Sequence, residues 1–89
     1  MIILSKADEM FERLGYEKST DKRREQYKKI LYFNGYKIIT TINFYLLDKN
    51  LSTQSYNDTI QQKVDTNFET EEMIAINEKV KELGWLDET

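Results

Sequence analysis

The chain has 89 residues, 39% hydrophobic and 33% charged, with a net charge of −3, three Gly and no Pro, Cys or His. That length holds one hydrophobic core and no second domain, so residues 1–89 read as a single small domain. Without imidazole or thiol there is no histidine general base, no Ser-His or Cys-His nucleophile, no zinc site of the usual nitrogen and sulfur ligands, and no disulfide.

The leading Met1-Ile2-Ile3-Leu4 is only four apolar residues before Ser5-Lys6-Ala7-Asp8. A run that short suits neither a signal peptide nor a membrane span, and no later stretch is long and uncharged enough to span a bilayer. The expectation is a cytoplasmic protein with no membrane partner, which the absence of thiols also suits.

A first helix is predicted from Ser5, whose hydroxyl can accept from the backbone N–H of Asp8. Ala7, Met10, Phe11 and Leu14 follow at the spacing of one apolar helical face. Gly15 then supplies the left-handed residue past the helix end, and Tyr16 folds back on Phe11 in a Schellman cap.

Between the helices the apolar period changes to two, and Asn34-Gly35 is the strongest local signal in the chain. A two-residue Asn-Gly loop favours a type I′ hairpin because both residues need positive φ. It sets Phe33 opposite Tyr36, Leu31 opposite Ile38, Lys29 opposite Thr40, Tyr27 opposite Ile42 and Glu25 opposite Phe44. Tyr27, Leu31, Phe33, Tyr36, Ile38, Ile42 and Phe44 thus share one apolar face. The other face is mixed: Lys28, Ile30, Tyr32, Lys37, Ile39, Thr41, Asn43 and Tyr45. Asp48-Lys49-Asn50 reads as a turn with Asn50 in the left-handed region, followed by a third strand over residues 51–56. Residues 59–64 form either a short fourth strand or an ordered loop, and residues 65–69 a linker.

The second helix opens at Thr70 with Glu71 and Glu72 in its first turn, where the positive end of the dipole favours carboxylates. It is expected to turn Met73, Ile76, Val80 and Leu83 inward and to end at Leu83-Gly84-Trp85, with Trp85 packing back as a core plug. The fold class expected is α+β: an N-terminal helix, an antiparallel meander of three or four strands and a C-terminal helix. Both helices should cover the apolar sheet face.

Residues 17–37 carry seven cations and three anions, whereas residues 65–89 carry eight anions and two cations. The two segments are expected to meet within the fold or across a dimer contact, or to stay solvated. Lys22, Arg23, Arg24, Lys28 and Lys29 beside Tyr27 and Tyr32 are the candidate phosphate-binding residues of a nucleic-acid-binding alternative. Glu69, Glu71 and Glu72 are oxygen donors, but neighbours on a helix point apart, and neither a calcium-loop nor a phosphate-loop motif is present. Catalysis, metal and cofactors are therefore not expected.

What remains is the mixed sheet face, where Ile30, Tyr32, Ile39 and Tyr45 put more aromatic and aliphatic area than a solvated face needs. The competing structural role is burial under residues 57–69, with Ile60, Val64 and Phe68 as the cover. If the face is open, it is a protein-interaction site, and the partner is another protein or a second copy.

The segments Ala7-Asp8-Glu9-Met10-Phe11, Leu14-Gly15-Tyr16, Glu71-Glu72, Ala75-Ile76 and Lys81-Glu82-Leu83-Gly84-Trp85 resemble those of short uncharacterised phage and prophage proteins of low-GC Gram-positive bacteria. The resemblance covers most of the chain and rests on caps and core positions that carry no chemistry. It implies a cytoplasmic accessory protein of the bacterial host cell, and the residues themselves point to a non-enzymatic interaction module.

Overall fold

A computed structural model describes residues 4–85: α1 (Lys6–Arg13), β1 (Glu17–Thr20), β2 (Arg24–Phe33), β3 (Tyr36–Tyr45), β4 (Asn50–Asn57), β5 (Gln62–Val64) and α2 (Thr70–Glu82). The strands form one antiparallel sheet in chain order, each hydrogen-bonded to the next. The α+β order of helix, meander and helix is as expected. The sheet is wider than three or four strands because β1, four exposed polar residues with no apolar alternation, also joins it. Asp21 makes that possible by reversing the chain: its carboxylate accepts from the N–H groups of Arg23 at 2.8 Å and Arg24 at 3.0 Å. Those two backbone bonds, with Arg24 nearby, hold the Asp21 carboxyl below its ordinary pKa.

Both helix ends follow from local chemistry. Ser5 Oγ accepts from the N–H of Asp8 at 3.0 Å. Glu72 Oε1 accepts from the N–H of Glu69 at 2.8 Å, bonding back to the N-cap of α2. At the C-termini Tyr16 N–H donates to the Phe11 carbonyl and Trp85 N–H to the Val80 carbonyl, the long bond of a Schellman motif in each case. Gly15 and Gly84, at φ +93° and +75°, supply the left-handed residue that these motifs need.

The hairpin register matches the expected one, from Phe33 opposite Tyr36 to Glu25 opposite Phe44. Asn34 and Gly35 have φ of 50° and 81°, as a type I′ turn requires. In the next turn Lys49, not Asn50, takes the left-handed conformation at φ 55°, because Asn50 is already paired with Tyr45 as the first residue of β4. After β4, Asn57 Oδ1 accepts from the N–H groups of Thr59 and Ile60, and the chain returns as β5, a short fourth partner in the meander.

The core lies between both helices and one sheet face. Phe11 of α1 stacks on Tyr27 at 4.1 Å between ring centroids, and Tyr27 meets Phe44 edge-on at 5.7 Å. Tyr16, Ile42 and Ala75 complete the buried cluster, with Met10, Leu14, Phe68, Ile76, Val80, Leu83 and Trp85 packed around it. Trp85 reaches Phe44 at 6.0 Å, so its expected role as a core plug holds.

Two expectations about the core need correction. Met73 is 53% exposed, whereas Ile76, Val80 and Leu83 pack against the core as expected, beside the buried Glu72, Ala75 and Lys79 of α2. Glu72 takes the inward place in the first turn because it meets Tyr16 and Lys29, which rotates Met73 out by about 100°. Second, Leu31, Phe33 and Tyr36 are on the helix side of the sheet but exposed. Helices of eight and thirteen residues are about 12 and 20 Å long, whereas the ten-residue β2 spans about 34 Å. The end of the hairpin therefore outruns its cover.

Candidate interaction surface on the open sheet face and hairpin end

Strand pairing fixes which residues share the face away from the helices. Lys28, Ile30 and Tyr32 of β2 lie beside Thr41, Ile39 and Lys37 of β3, and Ile39 and Tyr45 lie beside Tyr56 and Asn50 of β4. Ile30, Ile39 and Tyr56 thus form a row across three strands, with Tyr32 one step further along. Tyr45 is six residues from Ile39, about 20 Å along the strand, and pairs with Arg24 at the opposite end. The four residues expected to make one site are therefore three at one end and one at the other.

Phe68 packs into the core from the helix side, and Ile60 and Val64 are themselves exposed. Residues 57–69 do not bury the mixed face. The middle of that face is polar and internally bonded: Asn43 Oδ1 accepts from Gln26 Nε2 at 2.9 Å and from Arg24 at 3.4 Å. The apolar surface is concentrated at the hairpin end, where Tyr32 is 73% and Phe33 63% exposed, joined by Ile30, Leu31 and Tyr36. Leu31, Phe33 and Tyr36 belong to this surface although their alternation assigns them to the core. The signal that exposes them is the length of the helices, not the pattern of the strand.

The basic segment does not converge on one place. Lys22 and Arg23 are exposed in the β1–β2 turn, Arg24 pairs with Asp21 at 3.5 Å, and Lys28 points to the open face. Lys29 lies on the opposite face, where its ammonium meets Glu72 at 2.9 Å and sits 4.8 Å from the Tyr16 ring centroid. That ion pair is one place where the basic and acidic segments meet within the fold. By strand register, Arg24, Lys28, Lys37 and Lys63 lie on the open side with Glu17 as the one strand carboxylate among the described residues, although Lys37 approaches Asp58 at 3.9 Å.

Beneath the helices lies a second charged group. Lys79 is 1% exposed, and its ammonium is 2.7 Å from both Glu25 and Glu82 and 3.7 Å from Asp8. Lys18 reaches Asp8 at 2.8 Å and Glu25 at 3.0 Å, and the Tyr27 hydroxyl donates to Asp8. Burial works against ionisation of Asp8 and Glu25, but the bonds and charges of Lys18 and Lys79, with Tyr27 at Asp8, outweigh it and hold both carboxyls below their ordinary pKa. Glu72 is depressed in the same way by Tyr16, its own N-cap and Lys29 against the effect of burial. Burial, then the carboxylate each one bonds, pushes the Tyr16 and Tyr27 phenols up. Among the described residues no buried side-chain polar atom lacks a partner. The arrangement ties α1, β1, β2 and α2 together through paired charges.

Among the described residues no group of three or more carboxylates is set to hold a metal ion, and no helix is long and apolar enough to cross a membrane. No family model, curated protein or solved structure shows significant similarity to the chain.

Proposed function

We propose that the protein is a non-enzymatic interaction module that binds a protein partner through the end of the β2–β3 hairpin and the adjoining open face. The observation that carries this reading is the exposure of Ile30, Leu31, Tyr32, Phe33 and Tyr36 together at that end. Contiguous apolar and aromatic surface of this kind is uncommon on a monomer without a partner, and Tyr and Phe are enriched at interface centres. Replacing Tyr32 with a photoreactive phenylalanine derivative in bacterial cells carrying the gene should give protein adducts of discrete mass. The same residue in place of the exposed Glu12 on α1 should give none. Equal labelling at both positions, or none at Tyr32, would refute the reading.

One observation favours a second reading, binding of single-stranded nucleic acid on the same face. Arg24, Lys28, Lys37 and Lys63 lie there among Tyr32, Tyr45 and Tyr56, a combination of backbone-tracking cations and stacking rings. It predicts oligonucleotide binding that weakens as salt rises and is lost when Arg24, Lys28, Lys37 and Lys63 are changed to Glu. Fluorescence anisotropy at low salt decides the matter, and an unchanged signal with labelled DNA and RNA ends this alternative.

A further inference from the structure

The hairpin end carries more than apolar side chains, because it is also an unpaired strand edge. β1 pairs with β2 no further than Lys28, so Lys29–Phe33 have β3 on one side and, among the described residues, no strand on the other. In a two-residue hairpin the closing pair, Phe33 and Tyr36, exchanges both backbone bonds, and bonded and non-bonded pairs then alternate along the ladder. Odd-numbered residues of β2 therefore bond inward to β3, and even-numbered ones present N–H and C=O outward. Gln26 and Lys28 spend theirs on β1, where they are paired with Ser19 and Glu17. Ile30 and Tyr32 are the next two outward positions, and their four backbone groups face a free edge.

Natural sheets blunt such edges with charge, proline or a bulge. Ile30-Leu31-Tyr32-Phe33 has none of these, and it is apolar on both faces of the sheet. We infer that a second copy of this chain fills the edge, its β2 running antiparallel to the first about a two-fold axis at Tyr32. This rests on the reading of the hairpin end as a protein-binding surface and names its partner.

Three features favour a second copy. The first is backbone fit: Tyr32 exchanges both bonds with its own counterpart, so the contact is self-complementary, as a two-fold interface must be. Side-chain pairing is the second. This register sets Leu31 against the second copy's Phe33, an aliphatic–aromatic pair, and places Ile30 and Lys29 beside its Asn34-Gly35 turn, so no lysine faces a lysine. It also confines the shared ladder to Leu31–Phe33, which leaves β1 in place. The third is area. With side chains of about 150–250 Å² for the aromatics, the exposed fractions of the five residues leave on the order of 600 Å² per copy. Two copies then offer at most about 1,200 Å² to the contact, the lower end of the range for specific interfaces. The product is a continuous ten-stranded antiparallel sheet with four helices on its flanks.

The absence of cysteine makes the test clean. Residues directly opposite in a bonded antiparallel pair have Cα atoms about 5.5 Å apart, within disulfide range. Tyr32→Cys should therefore oxidise to a covalent dimer, and Glu12→Cys on α1 should form no covalent dimer under the same treatment. Sedimentation of the unmodified full chain at micromolar concentrations should show a dimer. Tyr32→Pro, which removes only an outward N–H from the backbone, should sediment as a monomer with an unchanged circular dichroism spectrum, and Tyr32→Phe as a dimer. Should Tyr32→Pro fail to fold, Leu31→Glu at a 53% exposed position tests the same edge and should also be monomeric. A monomeric parent chain overturns the inference, as does a dimer that survives both Tyr32→Pro and Leu31→Glu. A monomeric parent whose Tyr32 still photolabels a protein of another mass leaves the interaction module standing. A monomer with no adducts ends both.

Discussion

Lys79 shows how far a single residue can depart from its pattern. An amphipathic reading of α2 places a lysine in solvent, yet this one lies in the core layer, ringed by Glu25, Glu82 and Asp8. A buried cation is tolerable only if fully paired, and removing one member of such a group leaves uncompensated charge, at a cost of about 3–5 kcal/mol. Lys79→Ala should therefore lower the unfolding free energy in urea by about that amount. A loss under about 1 kcal/mol would mean that the network is surface-like in its energetics. The apolar replacement Lys79→Met would not rescue it, since three carboxylates would still face one another.

At the scale of elements, the strands and helices obey their local patterns but differ in reach. Phe11 and Phe33 are both aromatic residues in apolar positions, but Phe11 is fully buried and Phe33 is 63% exposed. Phe11→Ala should cost about 3–5 kcal/mol, as core aromatic truncations do. Phe33→Ser should stay within about 0.5 kcal/mol in stability, as surface changes do, while it weakens whatever the hairpin end binds. Chemical denaturation of the two variants side by side checks this, and a large loss from Phe33→Ser would place the hairpin end in the core. Part of this was legible beforehand. Asn34-Gly35 fixes the register, and that puts Ile30, Tyr32 and Ile39 on the open face. The exposure of Leu31, Phe33 and Tyr36 was not legible from alternation, since period two reports which face a residue shares and not how much of that face is covered.

Over the whole molecule, the ion network ties stability to pH at both ends of the scale. Asp8, Glu25 and Glu72 have folded pKa values below their ordinary ones, so the unfolded chain binds more protons in acid. Their contribution is present above about pH 4 and disappears as pH falls through the depressed values. Tyr16, Tyr27 and Lys18 are shifted upward, so their contribution is present below about pH 10 and disappears as pH rises further. The urea midpoint should form a plateau across neutral pH and drop on both sides at constant slope. A midpoint unchanged down to pH 3 would show that the carboxylates gain nothing from their partners in the folded state.

The amino-acid sequence by itself determined what local chemistry controls: the caps at Ser5, Gly15 and Gly84, the turn at Asn34-Gly35, the pairing of β2 with β3, and the α+β order of elements. Each depends on a few adjacent residues whose backbone preferences or hydrogen bonds act over one or two turns. Tertiary structure alone decided that Glu17–Thr20 becomes a strand, since polar residues pair when a neighbouring edge is offered. It also decided that Glu72 and Lys79 turn inward while Met73 turns out, because partners from α1, β1 and β2 make burial of charge tolerable. Last, it left Ile30–Phe33 uncovered on both faces and along one edge, because short helices and a short β1 end before a ten-residue strand does.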